Sequence, residues 1–339
     1  MVTTQVSQAS FPVFHGVGRY PGGIMEQRYV GRSGLSVSRV GLGTMTWGRD
    51  TDGDDAAAQL RTFVEAGGNL VDTADVYTGG DAERLLGRML RDSFPRSELV
   101  ISTKAVVTPA GRRPRDASRR HLIAAVDASL NRLGLDYVDL WQLHTFDPEV
   151  PLEETLAALD AIVTSGRAVY AGVCDYTGWQ LAAAAVAQRN ASGRVPVTSA
   201  QAEYSLLARG PERELLPAAE HVGAGVLAWS PLGRGVLTGK YRTGVPSDSR
   251  AASPHFADFV RPYLDERSRR VVESVTTAAD GLGVSPLAVA LSWVRDQPCV
   301  ASAIVGARTH TQLKAILTAE DLVLPREIRE ALDDVSSPE

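Results

Sequence analysis

Short runs rich in β-branched residues alternate with amphipathic stretches along this chain, and this alternation restricts the fold more than any other feature. Eight strand-like runs occupy residues 39–44, 69–73, 99–103, 137–143, 168–173, 198–202, 225–228 and 301–305. Between them, apolar residues recur at helical spacing, most clearly in residues 54–66, 81–91, 119–133, 152–165 and 179–189. Such alternation predicts parallel strands joined by right-handed helical crossovers.

Two arrangements satisfy this pattern, an open doubly wound sheet and a closed barrel. The dinucleotide-binding form of the open sheet needs a glycine fingerprint that opens a helix after the first strand. Here Val40-Gly-Leu-Gly-Thr44 is followed by Met45, so the fingerprint is incomplete. Eight strand–helix units in a chain of 339 residues fit a closed barrel. We therefore predict an α/β fold, a (β/α)₈ TIM barrel.

Three further segments complete the predicted organisation. Residues 1–25 have no hydrophobic period and are predicted to form a flexible N-terminal extension, which leaves residues 26–339 as a single barrel domain. Residues 29–37 are typical of a β-hairpin, which we expect to close the bottom of the barrel. Residues 232–259, after the seventh strand, are rich in Gly, Pro, Ser and Arg and are too long for a simple connection. We call this last segment the lid and predict that it is a functional loop over the site.

Composition argues against several classes of partner. The formal net charge of −5 offers no basic face for nucleic acid. No run approaches the apolar length of a membrane span, and the first residues lack the pattern of a signal peptide. The two cysteines, Cys174 and Cys299, are predicted to be separate reduced thiols. These features predict a cytoplasmic protein without nucleic-acid or membrane partners.

Four chemically active residue types fall at neighbouring predicted strand ends, where the catalytic groups of such barrels lie. Asp72 ends the second strand and Tyr77 lies in the loop beyond it. Lys104 ends the third strand and His144 the fourth. Each alone has an ordinary structural explanation, as a cap, a core ring, a surface charge or a loop histidine. Together they predict one catalytic site.

The chemistry that suits this set is proton donation beside a hydride donor. A tyrosine with a pKa of about 10 is a poor acid at neutral pH. A neighbouring lysine ammonium should lower that pKa, and an aspartate would keep the lysine charged and in place. The histidine can form a hydrogen bond to a carbonyl oxygen. No residues have the spacing of a metal site, and the set has no hydride source, so we expect an organic cofactor.

The sequence resembles the aldo-keto reductase superfamily from about Gln27 to Leu324. The segments that carry the resemblance are GGNLVDTADVY (67–77), LGLDYVDLWQLH (133–144), QAEYSLL (201–207), WSPLGRGVLTGK (229–240) and IVGAR (304–308). The branch that it most resembles holds bacterial reductases and β subunits of voltage-gated potassium channels. The resemblance implies that Asp72, Tyr77, Lys104 and His144 are catalytic. It also implies turnover, because the channel subunits lack the histidine.

The resemblance further implies that the cofactor is NADPH. Trp229 would stack on the nicotinamide and Gln201 would hold its carboxamide. The residues implied around the phosphates and adenosine are Ser230, Leu232, Lys240, Arg250, Gly306, Arg308 and Gln312. Two positions depart from the family pattern, because Cys174-Asp175 replaces a frequent Ser-Asn pair near the carboxamide, and Ile316 replaces an asparagine near the adenine.

Aromatic residues near the predicted strand ends are candidates for the substrate pocket, namely Trp47, Phe146, Tyr176 and Tyr204. Packing beneath a lid explains each of them equally well, and the sequence does not identify the substrate. The predicted function is NADPH-dependent reduction of a small-molecule aldehyde or ketone. Two alternatives stay open, a redox-sensing NADPH-binding regulatory subunit and a nucleotide-deoxysugar ketoreductase. Homo-oligomerisation also stays open.

Overall fold

The computed structural model describes residues 25–338 except 110 and 191. The predicted flexible extension therefore lies outside the described residues, apart from Met25. That residue is only 1% exposed and its backbone N–H donates to the carbonyl of Ala66. Met25 thus packs as part of the barrel core, one residue before the predicted boundary.

Eight parallel strands close into a barrel, as predicted. Two short antiparallel strands, β1 (Gln27–Tyr29) and β2 (Ser36–Ser38), precede them. The barrel strands in order are β3 (Val40–Gly43), β4 (Leu70–Asp72), β5 (Val100–Ala105), β6 (Val138–Leu143), β7 (Ala168–Cys174), β8 (Val197–Glu203), β9 (Gly225–Trp229) and β10 (Val300–Val305). Pairing of β10 with both β9 and β3 completes the closure.

Helices surround the barrel. They are α1 (Gly53–Glu65), α2 (Asp81–Asp92), α3 (Arg119–Leu133), α4 (Leu152–Thr164), α5 (Gly178–Arg189), α6 (Leu215–Val222), α7 (Ala257–Val260), α8 (Glu266–Leu282), α9 (Pro286–Arg295), α10 (His310–Thr318) and α11 (Arg326–Ser336). Local chemistry sets several ends: the Ser118 hydroxyl caps α3, and Thr177 and Gln180 form a capping box at α5. Among the residues that the structure describes, no single helix is long and apolar enough to cross a membrane, although α8 and α9, bent by 103°, together reach that length and composition.

The hairpin β1–β2 closes the amino-terminal end of the barrel, as predicted. Its apolar side chains pack on inward-facing strand residues, in a buried cluster of Val30, Leu35, Val37, Leu70, Leu140, Leu227 and Ala301. At Gly31, φ is +57° and a Cβ atom would lie 2.3 Å from the carbonyl oxygen of Gly223. Only glycine allows this backbone-to-backbone approach. Chemistry is therefore left to the opposite, carboxyl end of the strands.

Candidate active site

A cavity of about 480 Å³ opens at the carboxyl end of the barrel strands. Three of the four predicted catalytic residues line it, namely Asp72, Tyr77 and His144. All of the predicted cofactor residues line it too: Cys174, Asp175, Gln201, Trp229, Ser230, Leu232, Lys240, Arg250, Gly306, Arg308 and Gln312. The fold thus brings both predicted sets to one cavity.

Lys104 is fully buried beside Tyr77 and held by two oxygens. Its Nζ lies 2.6 Å from Asp72 Oδ2 and 2.7 Å from the carbonyl oxygen of Thr73. The same Nζ is 3.5 Å from the Tyr77 hydroxyl oxygen. The other carboxylate oxygen of Asp72 accepts hydrogen bonds from Ser102 Oγ and Gln201 Nε2, both at 3.0 Å. This set of contacts fixes the ammonium at one place beneath the phenol.

Burial and the charges of neighbouring residues compete in setting the pKa values of Lys104 and Tyr77. Burial lowers the pKa of Lys104, but Asp72, Tyr77 and Cys174 together outweigh it and raise that pKa above its usual range. The pKa of Tyr77 is raised to about 12, because burial and then the Asp72 charge outweigh the lowering by Lys104. The expectation of a net lowered Tyr77 pKa is therefore wrong for the protein alone, although the lysine acts in the expected direction. At neutral pH the phenol carries its proton.

His144 faces the Tyr77 ring from the end of β6. The two ring centroids are 6.1 Å apart and the planes meet at 80°. Burial, with the nearby Lys104 charge, lowers the pKa of His144 to about 3. The imidazole is therefore neutral at physiological pH and has one N–H to donate.

An acidic pair, Asp75 and Glu83, lies behind the predicted catalytic residues, and the sequence analysis did not single it out. Glu83 accepts hydrogen bonds from Thr103 Oγ1 and Arg132 Nε, both at 2.6 Å. Burial and then the Glu83 charge raise the pKa of Asp75 to about 7. The backbone N–H of Asp75 donates to the carbonyl of Lys104 at 3.0 Å, which ties this loop to β5.

Trp229 and Asp175 form one wall of the cavity. The Trp229 Nε1–H donates to Asp175 Oδ1 at 2.9 Å, and burial raises the pKa of the Asp175 carboxyl. Asp175 has φ +51°, a conformation that aspartate adopts more readily than most residues. Cys174 Sγ donates to Gln201 Oε1 at 3.7 Å, so both amide atoms of Gln201 have partners within the protein. Cys174 and Cys299 are free thiols, as predicted.

Three cations face one another at the far end of the cavity. Arg250 Nη2 donates to the carbonyl of Gly306 at 3.2 Å, and Arg308 Nη2 donates to the carbonyl of Asp248. Burial and the charges of Arg250 and Arg308 lower the pKa of Lys240 to about 8. Within the described part of the chain, none of the three forms a salt bridge with a carboxylate. A cluster of positive charges without a carboxylate partner is suited to an anionic ligand.

Arg234 and Phe259 are cavity residues that the sequence analysis missed. Arg234 has φ +57° and forms two hydrogen bonds, of 2.7 and 2.6 Å, with the carboxylate of Glu203. Its guanidinium lies 3.9 Å from the centroid of Phe259, whose ring is nearly parallel to that of Trp229 at 6.3 Å. These contacts fix both ends of the lid. The Gly-Arg-Gly triplet at 233–235 was the available signal, since it indicates a tight turn.

Two of the four predicted substrate residues are core residues instead. Trp47 is fully buried and donates to Gln59 Oε1 at 3.3 Å, and Tyr204 is 1% exposed and donates to Glu212 Oε1 at 2.8 Å. Packing and internal hydrogen bonds therefore account for both side chains, and neither lines the cavity.

Phe146 and Tyr176 pack against each other near His144, with centroids 5.4 Å apart. Phe146 also packs at 5.7 Å against Trp179, which is 60% exposed and was not singled out from the sequence. The role of Phe146 and Tyr176 in substrate binding stays a prediction.

Comparison with known proteins gives consistent matches over nearly the whole chain. The model of the aldo/keto reductase family matches residues 39–337. A protein of Arabidopsis thaliana named as a probable voltage-gated potassium channel subunit beta is 35% identical, over 88% of this chain and 92% of its own length. The uncharacterized oxidoreductase YrpG of Bacillus subtilis is 34% identical, over 92% of this chain and 96% of its own length.

Proposed function

Because the chain belongs to the aldo/keto reductase family, we propose that it reduces an aldehyde or ketone to an alcohol with NADPH as hydride donor. One observation carries the proposal. The buried Asp72–Lys104 pair holds an ammonium 3.5 Å from the Tyr77 hydroxyl, at the wall of a cavity that also presents Trp229. A proton donor and a place for a flat redox cofactor therefore share one space.

The residues present fit such a cofactor. The cluster of Lys240, Arg250 and Arg308 suits its phosphates, because charge-assisted hydrogen bonds to phosphate are strong and arginine can form them in pairs. Burial, followed by the charges of Arg250 and Arg308, lowers the pKa of Lys240, so an anionic group there would relieve the crowding of positive charge. Trp229 offers a ring face and Asp175 an acceptor for a carboxamide N–H. When bound, the reduced cofactor supplies the hydride that forms the new C–H bond.

The protein supplies the proton. Tyr77 donates its hydroxyl proton to the carbonyl oxygen as that oxygen becomes an alkoxide, and Lys104 stabilises the phenolate that remains. Asp72 keeps Lys104 charged and in place. Neutral His144 donates a hydrogen bond to the same oxygen and so orients the carbonyl. The phenolate regains its proton from solvent after product leaves.

The Tyr77→Phe variant tests this assignment, because it removes only the hydroxyl. Loss of general acid catalysis should lower kcat by roughly 10²–10⁴. The dissociation constant for NADPH, measured by calorimetric titration, should stay within about twofold of wild type. Tyr170→Phe, at the opposite end of the barrel, is the matched control and should keep wild-type kcat. Near wild-type turnover in Tyr77→Phe would overturn the proposal.

A second candidate, an NADPH-binding regulatory subunit, is favoured by the relatives named as potassium channel β subunits. The presence of His144 in the cavity favours the enzyme, since the resemblance implies that the channel subunits lack this histidine. Turnover of a simple aldehyde by the wild-type protein distinguishes the two. Tight NADPH binding without measurable turnover would favour the regulatory subunit.

A further inference from the structure

Asp175 places a negative charge in the cavity between the catalytic residues and the lid. It follows β7 directly, next to β6, which carries His144 at its end. The protein surrounds the Asp175 side chain on most sides, and its exposed surface faces the cavity that it lines. Its backbone N–H donates to the carbonyl of Gln201 at 2.9 Å, which fixes its position against β8.

The Asp175 carboxylate is not neutralised by a neighbouring cation. The Trp229 indole N–H donates to Asp175 Oδ1 at 2.9 Å, but the indole carries no formal charge. No basic side chain of the described residues forms a salt bridge with Asp175. The two charged residues that affect its pKa, Glu203 and Lys104, have opposite signs. The Arg234 guanidinium lies 5.8 Å from the Trp229 ring centroid but is paired with Glu203, so Asp175 adds an unpaired carboxylate to this wall.

This charge would act on the redox state of the cofactor. The oxidised nicotinamide ring is a cation, whereas the reduced ring is neutral, and the phosphates are the same in both forms. A carboxylate beside the ring therefore changes the affinity for one form relative to the other, while the cations at the far end of the cavity act on both alike.

We propose that Asp175 makes this site bind NADP⁺ more tightly, relative to NADPH, than a neutral residue at the same position would. The inference rests on the proposed function, which places the nicotinamide at Trp229. An opposite charge within about 4–6 Å shifts a charged–neutral equilibrium by roughly tenfold or more. For a two-electron couple, a tenfold change in the ratio of the two affinities corresponds to about 30 mV in the reduction potential of the bound cofactor. Asp175 thereby biases the bound cofactor toward giving up its hydride, which favours carbonyl reduction.

The test is the ratio of the dissociation constants of NADPH and NADP⁺, measured by calorimetric titration at pH 8 in wild type and Asp175→Asn. Asparagine keeps an oxygen acceptor for the Trp229 N–H and removes only the charge. We expect the ratio to fall by about tenfold in Asp175→Asn. Asp280→Asn, which removes one exposed carboxylate from α8, controls for net charge and should keep the wild-type ratio.

Trp229→Phe separates the charge from the hydrogen bond. It removes the indole N–H and keeps Asp175, so the ratio of the two dissociation constants should stay near the wild-type value even where both affinities weaken. A ratio unchanged within twofold in Asp175→Asn, with both nucleotides still bound, would overturn the inference and leave the proposed function intact. Failure of the wild-type protein to bind either nucleotide would overturn both.

Discussion

Lys240 is expected to take up a proton when NADPH binds. Its pKa of about 8 means that about half of the molecules carry a neutral amine at pH 8 and about a tenth at pH 7. A phosphate among Lys240, Arg250 and Arg308 would reverse the local charge and favour the ammonium form. Binding should therefore consume about half a proton per site at pH 8 and about a tenth at pH 7.

The change in the pKa of Lys240 on binding also determines how the affinity for NADPH depends on pH. The pKa of Lys240 is higher in the complex than in the free protein, so the complex holds more protons. Its contribution to affinity is fully present below the free pKa of about 8 and is lost as pH rises through and above that value. The cofactor's own 2′-phosphate does not obscure the effect, because its second pKa is about 6 and it is already ionised at pH 8.

Calorimetric titration with NADPH at pH 8, in two buffers that differ in ionisation enthalpy, measures the proton uptake directly. Only three lysines occur in the chain, Lys104, Lys240 and Lys314, so a matched control is available. Lys240→Met should abolish the uptake, and Lys314→Met, at an exposed position on α10, should retain it. Identical binding enthalpies in the two buffers for the wild-type protein would refute the reasoning.

Lys104→Met removes the ammonium that lowers the pKa of Tyr77, so the basic limb of the pH profile for alcohol oxidation should move to higher pH. An unshifted limb would contradict the role of the lysine. Arg308→Ala and Lys240→Ala each remove charge-assisted hydrogen bonds worth about 1.5–3 kcal/mol, so the preference for NADPH over NADH should fall roughly tenfold or more in titrations with each nucleotide. Preferences equal to wild type would count against the phosphate site. Asp75→Asn should raise Tm at pH 8 and much less at pH 5. The pKa of Asp75 is about 7 in the folded protein and about 3.9 in the unfolded chain, so the stability of the wild-type protein falls as pH rises from about 4 to about 7. Thermal unfolding measures this, and a lower Tm at pH 8 would refute it.

The fold and the meeting of the predicted catalytic residues were predictable because both depend on local pattern and on a simple property of parallel strands. Every predicted barrel strand lies within two residues of the observed one. Parallel strands bring their carboxyl ends to one edge, so Asp72, Lys104 and His144 meet although 72 residues separate the first from the last. Hydrophobic periodicity and strand topology were sufficient to predict the barrel strands and the meeting of these three residues.

Side-chain environment was not predictable in the same way. An aromatic residue near a strand end suits a cavity wall and a packed core equally, which is why Trp47 and Tyr204 were misplaced. The pKa of Tyr77 depends on how completely the fold removes water from the phenol, and the sequence shows only the neighbouring charges. The Arg234–Glu203 pair depends on a left-handed turn that brings together residues 31 positions apart.

The two arginine–carbonyl hydrogen bonds between the lid and the end of β10 have a kinetic consequence. Arg250 reaches from the lid to Gly306, and Arg308 reaches back to Asp248 in the lid, so the segment is tied from both sides. If a dinucleotide binds beneath the lid, its release would require both hydrogen bonds to break at the same time. Replacement of spent cofactor, rather than bond making, would then limit each cycle. The alcohol product would leave first, through the mouth beside His144, and the oxidised nucleotide would follow it.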